Sequence, residues 1–491
     1  MRLEESRADW LPRLVFQRGL ALVYLIAYLV AVDQFRPLLG EHGLLPVPLF
    51  VKQVPFHNAP SLFFLFPNDV AFAIASWLGL VLSCAVLSGI SERFGFGVSA
   101  AIWGVLWVVY LSFVNGGQTF YAFGWESMTL EAGFYAMFLG DRRTIPLRAP
   151  IWMLRWMLFR VMFGAGLIKL RGDTCWKDLT CLDYHYATQP MPNPVSWYFH
   201  WMPAWMHHGG VLFNHFIELI VPFGFFAPQP FATIAGLLTI LFQLLLLVSG
   251  NLSFLNLLTI VLAVSTLDAR LLRKFVPVRV PELREPGRVA RYATAGLAGL
   301  VVLLSIPPAL NMLSSGQLMN YSYNPLQLVN TYGAFGSIGK MRYQVIVEGT
   351  ADATLTPATQ WREYEFKGQP GDLRRTPPQI APYHLRLDWL MWFASMAQFN
   401  EEPWFVNFMA KLLEGDRAVL GLLARDPFSG QPPRYIRARL FLYRFTTPRE
   451  RRQSGDWWKR DFVADYFPEV SLETPGFRRV LEEQGWLPTD R

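Results

Sequence analysis

The chain has 491 residues, of which 52% are hydrophobic and only 16% charged, and its formal net charge is +7. Soluble domains carry about 25% charged residues, so a wholly soluble protein is excluded. The basic excess lies largely in short loops between apolar runs, and no nucleic-acid-binding motif accompanies it.

Apolar runs near or above about eighteen residues are membrane-span candidates. Nine occur, at 14–32, 70–90, 96–114, 121–139, 151–170, 211–227, 231–248, 251–267 and 293–313. Soluble helices keep a polar face and these mostly do not. Residues 1–313 therefore read as a transmembrane helical domain, and 314–491 as a globular domain outside it. The first run follows a long mixed-charge start (Arg2, Glu4, Glu5, Arg7, Asp9, Arg13, Arg18) with no small-residue cleavage site after it. It is expected to be a retained span rather than a cleaved signal.

Lys and Arg in loops set orientation. The N-terminal segment, the loop at 140–150 (Arg142, Arg143, Arg148) and the loop at 268–292 (Arg270, Arg273, Lys274, Arg279, Arg284, Arg288, Arg291) are basic. With nine spans they share one side. The opposite loops hold only Arg36, Lys52, Arg171 and Lys177. The expectation is a cytoplasmic N-terminus and an extracytoplasmic C-terminal domain.

Ionisable groups inside a bilayer need a partner or a task. Glu126 and Glu131 lie in the fourth run and Arg155 and Arg160 in the fifth, so antiparallel neighbours could pair them. Lys169 closes the fifth run, with Asp173 just beyond. His215 and Glu218 share a helix face three residues apart. Lys169, Asp173, Glu131, His215 and Glu218 are the candidate catalytic set if the membrane part does chemistry; anchors and register-fixing pairs are the alternative. Five of the eight histidines fall between 185 and 215, yet no tight ligand spacing appears, so no metal and no cofactor is expected. Of three cysteines, Cys84 sits in a span, whereas Cys175 and Cys181 share an outer loop where an oxidising compartment allows a disulfide.

The C-terminal part alternates as strands do at 341–348, with further strands at 361–366 and 437–445 and helices at 388–399 and 403–424. Gly415-Asp416 marks a break in the last. The domain is α+β. Its aromatics outnumber what a small core needs, and Trp361, Tyr364, Tyr383 and Trp389 are the candidates for a client-binding face.

Three blocks carry a resemblance: NTYGAFGSIGKMRYQVIVEGT at 330–350, WREYEFKGQPGDLRRTPPQIAPYHLRLDWLMWFASM at 361–396 and KLLEGDRAVLGLLARDPFSGQPPRYIRARLFLYRF at 411–445. In this order they resemble the lipase maturation factor family, polytopic membrane proteins that help secreted lipases fold. The resemblance implies a secreted client, a lipase, and an endoplasmic reticulum membrane in a eukaryote or the inner membrane in a bacterium, with the C-terminal domain lumenal or periplasmic. Where such proteins are expected to carry cysteines in the second block, this chain has Gly368, Thr376 and Pro377, so a thiol-exchange role has no residue to run it. Gly166-Leu167-Ile168-Lys169-Leu170-Arg171-Gly172-Asp173 with Trp176 also resembles a helix end of the vitamin K-dependent carboxylase superfamily, which by resemblance would make Lys169 a base.

Two readings follow. The first is a membrane-embedded folding factor whose outer domain binds the client while membrane lipid surrounds the rest. The second is a membrane enzyme acting on a lipid or lipid-like cofactor at an outward-facing cavity.

Overall fold

The computed structural model describes residues 8–487. Among these, seven helices are long and apolar enough to cross a membrane: α1 (Trp10–Leu39), α2 (Asp69–Ser88), α3 (Phe96–Gly116), α5 (Arg148–Arg171), α6 (Ala204–Phe226), α7 (Phe231–Ser249) and α9 (Arg288–Leu313). The expected count of nine is not confirmed. The runs at 121–139 and 251–267 fold as the short helices α4 (Gly124–Ala136) and α8 (Leu255–Ala263). A helix rises about 1.5 Å per residue, so neither has the length of a span. Almost every residue of α4 is buried, which places its Glu126 and Glu131 among other helices and away from lipid. By contrast α2 presents Val70, Ile74, Trp77 and Val81 outward, and α9 presents Val302, Leu303 and Leu310. Such faces suit hydrocarbon. Gly79 allows α1 and α2 to touch: any Cβ there would run into the Tyr28 ring, the small-residue contact typical of membrane helix pairs.

Helix α1 fixes two opposite ends of the molecule. At its start, Trp10 Nε1 donates to the Arg142 carbonyl (2.8 Å) and Arg13 to that of Thr144 (2.9 Å). Residue 144 also bridges to Arg284, so the basic segments gather at this end. At its finish, Gln34 donates to the His384 carbonyl (2.7 Å) and accepts from the Arg386 amide (2.9 Å). The C-terminal region therefore sits at the end opposite the basic loops.

That region is built on a four-stranded antiparallel sheet in the order β2–β1–β5–β6, from β1 (Arg342–Thr350), β2 (Arg362–Glu363), β5 (Tyr435–Phe445) and β6 (Trp458–Val470). A two-stranded ribbon joins β3 (Glu365–Phe366) to β4 (Leu423–Arg425). The helices α10 (Arg386–Ala394) and α11 (Pro403–Glu414) complete the core. The expected single strand at 361–366 splits at Tyr364. Strand β1 is buried on both faces, not one, because it is central. The expected helix at 403–424 stops at Glu414, where Gly415 takes φ +66° and Asp416 caps the next turn through the amides of Ala418 and Val419. Strand β6 was not expected: its charged, exposed middle hides the alternation.

Candidate functional site

Two buried features stand where the membrane helices meet the C-terminal region. The first is a polar joint. Glu126 of α4 pairs with Arg386 of α10 at 2.8 Å, both fully buried. The Tyr110 hydroxyl donates to the same carboxylate. The Arg386 guanidinium lies 3.3 Å from the centre of the Tyr121 ring and donates to the Phe120 carbonyl (2.7 Å). Burial, then the Arg386 charge, push the basicity of His384 well down, so that ring stays neutral beside the pair. One turn deeper, Arg160 and Glu131 form the expected antiparallel pair. Glu131 also accepts from the Asn330 amide (3.1 Å) and the Tyr332 and Tyr135 hydroxyls (2.8 Å each). Glu126 thus turns to the C-terminal region rather than to Arg160.

The second feature is a cavity of about 670 Å3, bounded by α4–α8, α10 and the segment 332–337. At its polar end, Lys169 Nζ donates to both Glu218 oxygens (2.6 and 2.7 Å) and to Asn214 Oδ1 (3.1 Å). Glu218 lies in a π turn, Phe216–Ile220, inside α6. Such turns are rare and concentrate at functional sites. Gly166 lets this turn approach: a Cβ there would meet Glu218 Cβ at 3.0 Å and Leu219 at 2.7 Å. The Lys169 ammonium also sits 5.0 Å from the Trp176 ring centre. An ammonium has three protons to give, and all three are committed, so Lys169 is a neutralised ion-pair partner here rather than a free base.

The candidate residues do not all converge. Lys169 and Glu218 meet. His215 Nε2 is 3.0 Å from the Trp176 carbonyl, beside that pair. Asp173 caps the turn at Thr174–Trp176 through the Cys175 amide (3.1 Å). Glu131 belongs to the Arg160 layer. Cys175 and Cys181 are disulfide-bonded, with Cα atoms 4.8 Å apart. Among the described residues no group of three His, Cys, Asp or Glu side chains gathers as metal ligands would.

The four aromatic candidates do not form one exposed face, which corrects the expectation. Tyr364 and Trp389 are core residues, 3% and 4% exposed. Trp361 stacks 4.0 Å from the Arg437 guanidinium. Tyr383 donates to Asp33 (2.9 Å) and receives Gln34 (3.1 Å), both from α1. Burial consumes two of them: Trp389 packs on Phe123 and Trp125 at the joint with the membrane helices, and Tyr364 packs on Phe428 within the C-terminal region.

The density of the 361–396 block has a second physical reason. Asp388 accepts the amides of Gly368 and Gln369 (2.5 and 3.1 Å), and burial raises its carboxyl to about 6. Gln369 then donates to the Pro190 carbonyl (2.9 Å), and the buried Arg342 donates to those of Gln189 (2.6 Å) and Pro190 (3.1 Å). The block clamps the loop between α5 and α6 that carries the disulfide. The sequence marks Arg386 only as one of a local cluster with Arg374, Arg375, Asp372 and Asp388, not as the partner of Glu126, and it does not mark Arg342, since nothing local shows which carbonyl or carboxylate a distant arginine will reach.

These features define a class: a polytopic helical membrane protein whose C-terminal α+β region is locked onto the helices by a buried ion pair and buried hydrogen bonds. Residues 11–274 match the lipase maturation factor transmembrane domain, and residues 328–468 match the lipase maturation factor C-terminal domain. The chain belongs to the lipase maturation factor family. It is 43% identical to human lipase maturation factor 1 over 97% of this chain and 90% of that protein. It is 43% identical to the Bos taurus lipase maturation factor 1 over 94% and 90%, and 29% identical to human lipase maturation factor 2 over 97% and 85%. No solved structure matches.

Proposed function

We propose that the chain is a membrane-embedded maturation factor for secreted lipases, acting by binding its client on the C-terminal side. The observation that carries this reading is the 43% identity to a protein named lipase maturation factor 1, which runs through both halves of the chain. The structure adds a physical reason why both halves are needed: the C-terminal region shares its core and its buried charges with the membrane helices. Excess Lys and Arg mark the cytoplasmic side, so the C-terminal region, at the opposite end of α1, lies in the lumen of the endoplasmic reticulum in a eukaryote or in the periplasm of a bacterium. Trp361 and Tyr383, half-buried in that region, are client contacts, while Tyr364 and Trp389 are core residues.

The enzyme alternative is not favoured. It would use Lys169 as a base, and Lys169 is fully bonded to Glu218 and Asn214.

Orientation is checked with reporter fusions after residues 145 and 330, which should report opposite sides; the same side for both ends the assignment. Function is checked by deleting the gene in its host. Co-secreted lipases should keep their synthesis rate and lose most of their specific activity, while a secreted non-lipase control keeps its own. Equal loss in the control would point to a general secretion defect and refute a lipase-directed role.

A further inference from the structure

The cavity of about 670 Å3 lies within the range of about 300–1,000 Å3 typical of ligand sites. Its chemistry is unusual in three respects. First, the only Lys, Arg, Asp or Glu side chains that line it are Lys169 and Glu218, which neutralise one another at 2.6 Å, and the lining His207 is paired with Asp183 at 2.7 Å. Lys169 has no proton left to offer an anion. Second, its exposed rim carries four large apolar side chains, Met206, Leu245, Met319 and Phe393, beside the polar Asn320 and Ser337. Leu245 stands on the membrane-crossing helix α7, so part of the rim faces hydrocarbon. Third, three buried lining residues hold polar atoms without a partner: the indole N–H groups of Trp125 and Trp389 and the carbonyl oxygen of Asn256. Trp389 is 4% exposed, and its indole N–H donates to nothing. Asn256 is fully buried; its amide donates to Gln243 (2.8 Å) while its carbonyl oxygen accepts nothing. Buried polar atoms are nearly always satisfied, so unpaired donors and an unpaired acceptor lining one cavity point to a ligand that supplies both. His185 adds a neutral imidazole, held down to about 4 by burial and by Lys169.

We propose that this cavity binds one molecule of an uncharged amphiphile, with its apolar chain along the aromatic and aliphatic wall and a hydroxyl or ester head meeting Asn256 and Trp389. The head is uncharged because the wall offers no free counter-charge, and an unpaired ion in such a place carries a large desolvation cost. The rim admits the ligand laterally from the bilayer. The site stands independently of the client reading, since it rests on the cavity wall alone.

The test uses the full-length protein in lipid nanodiscs and two radiolabelled probes with one chain and different heads, mono-oleoylglycerol and oleate. Mono-oleoylglycerol should bind saturably at one molecule per protein, and oleate at least ten-fold more weakly at neutral pH. Trp389→Phe keeps an aromatic side chain and removes the unpaired N–H together with the five-membered part of the indole, so it should weaken mono-oleoylglycerol binding about five-fold while the protein stays folded. Asn256→Ala gives a second reading of the head contact. Non-saturable uptake of both probes, which would mean an adventitious additive only, overturns the proposal. So does oleate binding as tightly as its glycerol ester, or a folded Trp389→Phe protein that keeps its full affinity.

Discussion

Arg386→Ala is expected to remove most of the folded protein from the membrane. Arg386 is wholly buried and is the cation that neutralises Glu126 across the joint. Taking away one partner of a buried pair costs about 3–5 kcal/mol, because the other charge stays behind in a dry site. Against a total stability of about 5–15 kcal/mol, that is a large share. The orphaned Glu126 would keep the Tyr110 hydroxyl and lose its cation. The double substitution Glu126→Gln with Arg386→Gln removes both charges and should recover much of the loss. Size-exclusion profiles and thermal midpoints of detergent-extracted protein measure it. If Arg386→Ala behaves as the parent does, the joint does not hold the two regions together.

Glu131→Ala is expected to have an effect of the same order. This carboxylate receives Arg160, the Asn330 amide and two tyrosine hydroxyls. Without it, Arg160 retains the Asn330 carbonyl at 2.6 Å as its remaining close acceptor. Glu131→Gln keeps the shape and one acceptor oxygen, so it should cost clearly less than Ala. The same two measurements rank the variants. A ranking with Gln as damaging as Ala would place the effect in the charge alone; a silent Ala would refute the layer.

The Arg160–Glu131 layer was legible because each of two consecutive apolar runs carried an uncompensated charge, and consecutive runs pack antiparallel. The Glu126–Arg386 pair was not, since its halves lie in different regions and nothing local marks either as the partner of the other. Hydropathy alone does not confirm nine spans. It scores the apolarity of 121–139 and 251–267 but not where their helices end: α4 stops short of Gly140, at φ +84°, and α8 starts only after the polar Asn251 and Ser253. The aromatic surplus at 361–396 was read correctly as unusual and wrongly as exposed, because a sequence shows how many large side chains a region has and not which other region will cover them. Lys169 and Glu218 were both singled out, yet the π turn that brings them together leaves no trace in the spacing.

The central claim is that the chain helps secreted lipases fold by binding them. Its most direct test is refolding in a purified system. A chemically unfolded lipase is diluted into buffer containing the full-length protein in nanodiscs, and active lipase is measured over time. The yield of active lipase should rise with the amount of the factor and saturate near equimolar, while empty nanodiscs and an Arg386→Ala preparation give the spontaneous yield. A yield that the factor does not change, with the lipase competent to refold and the factor intact, would contradict the account.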